Sequence, residues 1–284
     1  MQIPPFTQPS NPSIEHLFRM PQVKDAMSWS NASPDTEEAN VTRYLREMLL
    51  PGQNSDPITW TVQDRWTALW WIFINSRLDP TVTAQYECEH CITSTGDKDT
   101  HFCDCNMSVL IDNVGLLTIE PFIAVEIPVN GQIYQWLIRP LDGRAMEHLE
   151  KARLSLPPKD DPTYKEELNS LELLELTHQA HLADQPDDFM QAAEMRFQLI
   201  QEMSIDTEFS VLAANVELAR RSLAHGLPMR IQNGEVTIQL PDHPCPTIAK
   251  AKGEAFAPKT RLFTPFRPRH FFPVIRPRRM DDFG

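Results

Sequence analysis

Two neighbouring stretches of the chain place apolar residues at helical spacing. Val41, Tyr44, Leu45, Met48 and Leu49 mark one face of a helix that must stop before Pro51. Ser33-Pro34-Asp35 supplies its start, with a capping hydroxyl, a proline suited to the first position and an acid for the first turn. Thr61-Val62-Gln63-Asp64 begins a second helix, whose face is Trp66, Leu69, Trp70, Phe73 and Ile74. The two are expected to pack together, with the tryptophans in the core. Further on, Phe122–Pro128 and Gln132–Arg139 read as strands joined at Asn130-Gly131, a dipeptide that tolerates positive φ. Asp142 caps a helix reaching about Leu154. Helices are expected over Thr163–Leu182, Asp187–Met203 and Thr207–His225, with Gly226 as the C′ residue of the last. Met229–Gln232 and Glu235–Leu240 form a second hairpin around Asn233-Gly234. The predicted class is α+β: a mostly helical body with two short hairpins and extended terminal arms.

The ends lack periodicity. Residues 1–32 are rich in Pro, Ser, Gln and Asn and read as a disordered leader or as an arm that docks on a neighbour through Phe6, Phe18 and Trp29. From Pro241 the chain is proline-rich. Its last part sets Phe263, Phe266, Phe271 and Phe272 among Arg267, Arg269 and Arg276, and is expected to be a partner-binding peptide. Arginines that contact phosphates and phenylalanines that stack on bases make nucleic acid the alternative partner. The expected divisions are therefore an N-terminal arm (1–32), a helical pair with a metal knuckle (33–118), a hairpin and helical region (119–245) and a basic C-terminal arm (246–284).

Composition removes several function classes. The 284 residues include only 9 glycines, and the two nearest, Gly226 and Gly234, are too far apart for a P-loop, a dinucleotide-binding loop or a serine-hydrolase elbow. The net charge is −13, which disfavours general nucleic-acid binding, yet Pro258–Gly284 carries seven basic and two acidic residues. The opening MQIPPFTQPSNPS has neither a basic n-region nor an apolar h-region, so no signal peptide is expected there, and no stretch is apolar enough for a membrane span.

Four of the five cysteines form the pattern Cys88-x2-Cys91-x11-Cys103-x-Cys105. Clustered thiols in a chain otherwise poor in cysteine point to a structural zinc ion bound by Cys88, Cys91, Cys103 and Cys105. Sulfurs around tetrahedral zinc lie about 3.8 Å apart, so the backbone at Asp104 is expected to bend. His90 or His101 is an alternative ligand, and an iron–sulfur cluster an alternative occupant. Lys98 is the one Lys or Arg over residues 84–112, which argues against a phosphate-binding ribbon. Cys245, in Pro-Cys-Pro, reads as a small packed residue. Glu175-x2-His178-x2-His181 reads as a solvated polar helix face, because a di-iron bundle needs a second such helix. No catalytic residues, small-molecule substrate or membrane partner are expected.

Tyr44-Leu45, Asp64-Arg65, Leu69, Arg77, Tyr86-x-Cys88-x2-Cys91, Val109-Leu110 and Pro140-Leu141-x-Gly143-x-Ala145-Met146-Glu147 carry a resemblance over roughly residues 37–150. In these the chain resembles the baseplate hub and hub-assembly proteins of contractile-tailed bacteriophages. The resemblance implies a non-enzymatic structural or assembly protein whose partners are other tail and baseplate proteins. It implies a place in the host cytoplasm during assembly, and in the virion baseplate if the protein is retained. The alternative is a zinc-binding regulator that uses the basic tail on nucleic acid.

Overall fold

The structure, a computed structural model, describes residues 2–29, 32–92, 98–232 and 235–274. Its elements in order are β1 (Phe6–Thr7), β2 (Glu15–His16), α1 (Val23–Trp29), α2 (Glu37–Met48), α3 (Val62–Ser76), β3 (Thr81–Ile92), β4 (Lys98–Asn106), β5 (Ile123–Val129), β6 (Gln132–Ile138), α4 (Gly143–Leu154), α5 (Tyr164–Gln179), β7 (Ala180–Leu182), α6 (Phe189–Gln201), α7 (Ser210–Ser222), β8 (Met229–Gln232), β9 (Glu235–Pro244), α8 (Pro246–Lys252) and β10 (Lys259–Pro265). The mixture of helix and antiparallel strand is the α+β class the sequence predicts. The strands pair as β1-β2, β3-β4, β5-β6-β7 and β10-β9-β8. Among the described residues, no helix is long and apolar enough to cross a membrane.

Several starts follow local chemistry. The Thr61 hydroxyl accepts the Asp64 N–H at 3.1 Å, and the Asp142 carboxylate accepts the Ala145 N–H at 2.9 Å. At the hairpin between β5 and β6, Asn130 and Gly131 both adopt positive φ, 52° and 81°, which is what a two-residue turn of this hand requires. The Asn233-Gly234 turn lies outside the described residues.

Other elements differ from expectation. The helix over Thr163–Leu182 ends at Gln179, and Ala180–Leu182 instead adds a third strand beside β6. Gly226 is not the C′ residue of α7, which ends at Ser222. It sits at φ 70° and exchanges backbone hydrogen bonds with Gly115, and a Cβ there would press against the Thr67 hydroxyl. The cysteine segment is a long hairpin, β3-β4, and the proline-rich region after Pro241 contains α8 and β10.

Two apolar cores result. One surrounds β5, β6 and β7 with Ile200, Leu212, Val216 and Leu223. The other holds α2 and α3 and also draws in both terminal segments: Ile3, Phe6, Phe18 and Trp29 from one end, and Leu262, Phe266, Phe271 and Phe272 from the other. The expected arms are therefore folded onto their own chain. Phe272 packs 5.0 Å from Trp29 and 5.2 Å from Tyr44, while Phe271 packs 5.1 Å from both Phe73 and Phe266. Phe266 also lies 5.2 Å from Trp66, and Arg230 covers the half-buried Phe263 ring. Burial of this kind returns the cost of leaving aromatics in water, which is why the segments close inward. Arg267 is half-buried, Arg269 is exposed with its backbone N–H bonded to Glu37, and Arg276 lies outside the described residues.

Polar contacts tie α2, α3 and α4 together. Arg65, wholly buried, donates to the Glu38 carbonyl at 2.7 Å and the Thr42 hydroxyl at 2.8 Å, and its other nitrogen lies 3.1 Å from the Glu38 carboxylate. Burial pushes the Glu38 carboxyl upward against the pull of Arg65. On α4, Glu147 accepts from the Thr42 hydroxyl, and Glu150 accepts the Glu38 N–H at the start of α2. Gly143 is packed so tightly that a Cβ would meet the Ile58 carbonyl at 2.7 Å and Arg65 at 2.8 Å.

Candidate metal centre

Strand β3 alternates Ala84, Tyr86 and Cys88 toward the interior with Thr83, Gln85 and Glu87 outside. The β3-β4 register runs without a break from Thr81↔Asn106 to Cys88↔Asp99 and resumes only at Ile92↔Lys98. The three unpaired residues at that shift swing Cys91 back to the side of Cys88. Cys245 arrives from the far end of the sequence. It follows β9, its N–H bonds the Pro258 carbonyl at 2.9 Å, and its carbonyl accepts the Ala249 N–H of α8 at 2.8 Å.

Cys88, Cys91 and Cys245 are all buried, and their sulfurs lie within 4.8 Å of one another, the Cys91–Cys245 separation being 3.1 Å. The Cys91 thiol donates to the Thr247 hydroxyl at 3.2 Å, and the Thr260 hydroxyl lies 3.8 Å from Cys88. All five cysteines are free thiols. Three convergent soft donors in an enclosed setting are close enough to bind one metal ion, and their spacing brackets the roughly 3.8 Å expected around tetrahedral zinc.

This set corrects the ligand expectation. Cys88 and Cys91 come together as the sequence predicts. Cys103 and Cys105 do not join them, because they pair with Ala84 and Val82, well along the hairpin from Cys88. Their sulfurs lie 3.2 Å apart, and Cys103 is 3.3 Å from His243 Nδ1. No bend at Asp104 is needed, since Thr83↔Asp104 continues the ladder and the two side chains lean together on one face. Burial, then the neighbouring Cys103, pushes the Cys105 thiol up to about 12. His90 is exposed and His101 turns to Asp99 at 3.5 Å, so neither belongs to the thiol group. The connector 93–97 lies outside the described residues.

Cys245 is the member of this thiol group that sequence reasoning left out. Its separation of 154 residues from Cys91 exceeds any motif spacing, and only its flanking prolines hinted at a constrained position. Tyr86 belongs to the same neighbourhood. Burial raises its phenol to about 12, helped by the charge that Cys88, Cys103, Cys245 and Cys91 would carry.

The expected solvated helix face is not one, because His178 and His181 are buried and His181 lies in β7, and the three side chains do not converge. Glu175 pairs with Arg220 at 2.8 Å, His178 Nε2 meets His148 Nδ1 at 2.9 Å, and His181 bonds the His178 carbonyl and Gln185. Burial drives both His178 and His181 down to about 3, with nearby cations adding to it.

Comparison with protein-family models, with curated proteins and with solved structures finds no match.

Proposed function

We propose that this chain is a non-enzymatic component of a contractile-phage tail baseplate, either part of the hub or a factor in its assembly, with zinc held by Cys88, Cys91 and Cys245 as an internal staple. The observation that carries the reading is the fate of the residues behind the sequence resemblance. Tyr44, Leu45, Leu69, Leu110 and Ala145 are buried. Asp64 holds the N-terminal segment, Arg65 links α3 to α2, and Glu147 links α4 to α2. Arg77 bonds the Phe272 carbonyl at 3.1 Å and covers the Phe73 ring. Those positions build a rigid body, the kind of work asked of a subunit that transmits position between neighbours.

Zinc suits three buried thiolates better than a hard cation would, and binding deprotonated cysteine couples metal uptake to folding. Neighbouring tail subunits would meet the outward side chains of the terminal segments, such as Lys259 and Arg269, with the phenylalanines kept inside. Mass spectrometry of purified particles and of tail-assembly intermediates tests the reading. The expected result is this chain in at least one of the two at amounts comparable with other baseplate subunits. Its absence from both overturns the assignment.

A further inference from the structure

We propose that Cys103 and Cys105 form a peroxide-reactive dithiol, in which Cys103 attacks the oxidant and Cys105 closes the product to a disulfide. Strand β4 alternates, with Cys103 and Cys105 buried and Phe102, Asp104 and Asn106 exposed, so both thiols stand on the inner face with one residue between them. Their sulfurs are free and lie 3.2 Å apart. Two residues of strand advance about 6.6 Å, inside the roughly 4.4–6.8 Å that a disulfide spans between α-carbons, so the pair can be bonded with the strand in place. The pair stands apart from the Cys88 group. The cross-strand pairs Ala84↔Cys103, Tyr86↔His101 and Cys88↔Asp99 put the Tyr86–His101 layer between Cys103 and Cys88.

Access and asymmetry assign the two roles. A cavity of about 190 Å³ opens beside the pair, lined by Cys103, Cys105, Asp104, Asn106, Val109 and His243. Hydrogen peroxide is little larger than a water molecule, whose share of the liquid is about 30 Å³, and so fits beside the sulfurs. His243 Nδ1 lies 3.3 Å from the Cys103 sulfur. Burial, then the hydrogen bond to Cys103, holds the proton on Cys105, which leaves Cys103 as the sulfur that reacts first. The Cys103 thiol loses its proton to solvent, and the thiolate attacks one peroxide oxygen. The O–O bond breaks, a sulfenic acid forms on Cys103, and the departing hydroxide takes up a proton as water. The Cys105 sulfur then attacks the Cys103 sulfur. The S–O bond breaks, the S–S bond forms, and a second water leaves with the Cys105 proton. Two thiols are oxidised and one peroxide is reduced to two waters.

The test treats the full-length, reduced chain with about one equivalent of hydrogen peroxide, then alkylates the remaining thiols under denaturing conditions and maps the peptides by mass. The expected product has lost two hydrogens from the peptide that carries Cys103 and Cys105, regains them with dithiothreitol, and leaves Cys88, Cys91 and Cys245 as alkylated thiols. Cys105→Ser is expected to stop at a sulfenic acid on Cys103, which dimedone traps, and Cys103→Ser to slow oxidation at Cys105 about tenfold or more. A Cys91–Cys245 bond formed while Cys103 and Cys105 stay reduced overturns the dithiol. Dimedone labelling of Cys105 in Cys103→Ser, at the rate seen for Cys103 in Cys105→Ser, overturns the assigned roles. Should these variants fail to fold, the map of the wild-type chain decides alone.

Discussion

Ser10 and Asp64, 54 residues apart, are joined twice: the Ser10 backbone N–H donates to the Asp64 carboxylate at 2.8 Å, and the Ser10 hydroxyl donates to its other oxygen. Gln8 adds a third hydrogen bond at 2.9 Å, and His225 lies 3.6 Å away. Asp64 is wholly buried. The N-terminal segment is therefore latched to α3 by a charged acceptor that water cannot replace.

Asp64→Ala is expected to strand these donors and to cost about 3 kcal/mol. Urea unfolding measures the loss. Limited proteolysis should show early cleavage within residues 1–20 of the variant. An unchanged cleavage pattern would mean that the aromatic contacts of Phe6 and Phe18 hold the segment unaided.

Deleting residues 258–284 removes β10 with buried Leu262, Phe266, Phe271 and Phe272. That truncation is expected to unfold the first core, and Phe272→Ala alone to cost about 3–5 kcal/mol. Urea unfolding reads both variants, and a midpoint equal to that of the full chain in either would contradict the packing.

Withdrawing metal with a chelator under reducing conditions is expected to lower the thermal midpoint by about 5–10 °C, as a few kcal/mol of linked folding energy is lost. Cys245→Ser should show the lower midpoint before chelator is added and a smaller further change after it. A chelator-insensitive wild type would remove zinc from the account.

Acid should destabilise the second core. His178 and His181 are held neutral in the fold down to about pH 3, whereas in the unfolded chain they take protons near their ordinary value of 6.5. The unfolded state thus binds more protons over that window, so stability falls as pH drops below about 6.5. At pH 5 the loss is about 2 kcal/mol for each histidine. Denaturation curves across pH 5–7 measure the slope, and His181→Gln should flatten it. A slope unaltered by that substitution would place the acid sensitivity elsewhere.

What could be read from the sequence was what local chemistry decides. Thr61 and Asp142 announce helix starts with their own side chains, Ser33 caps the short 3-10 turn that leads into α2, and Asn130-Gly131 announces a turn by its tolerance of positive φ. The β3 strand was written in the alternation of Val82, Ala84, Tyr86 and Cys88 with Thr83, Gln85 and Glu87, but the cysteine spacing drew the reading toward a compact knuckle. Ala180–Leu182 continues a helical composition, and only the free edge of β6 recruits it as strand. Neither the closure of the terminal phenylalanines on Trp29, Tyr44 and Trp66 nor the approach of Cys245 to Cys91 leaves a local trace, because distant partners supply the stabilisation. Cys88 and Cys91 of the expected thiol set do come together, whereas Cys103 and Cys105 lie apart from them along the hairpin.

The contact between Trp29 and Phe272 gives synthesis a checkpoint. A ribosome must pass Phe272 before that ring contact can close, so a product released earlier keeps an open greasy face on α2 and α3. Cellular quality control can recognise such a face, and only chains that have closed it would escape.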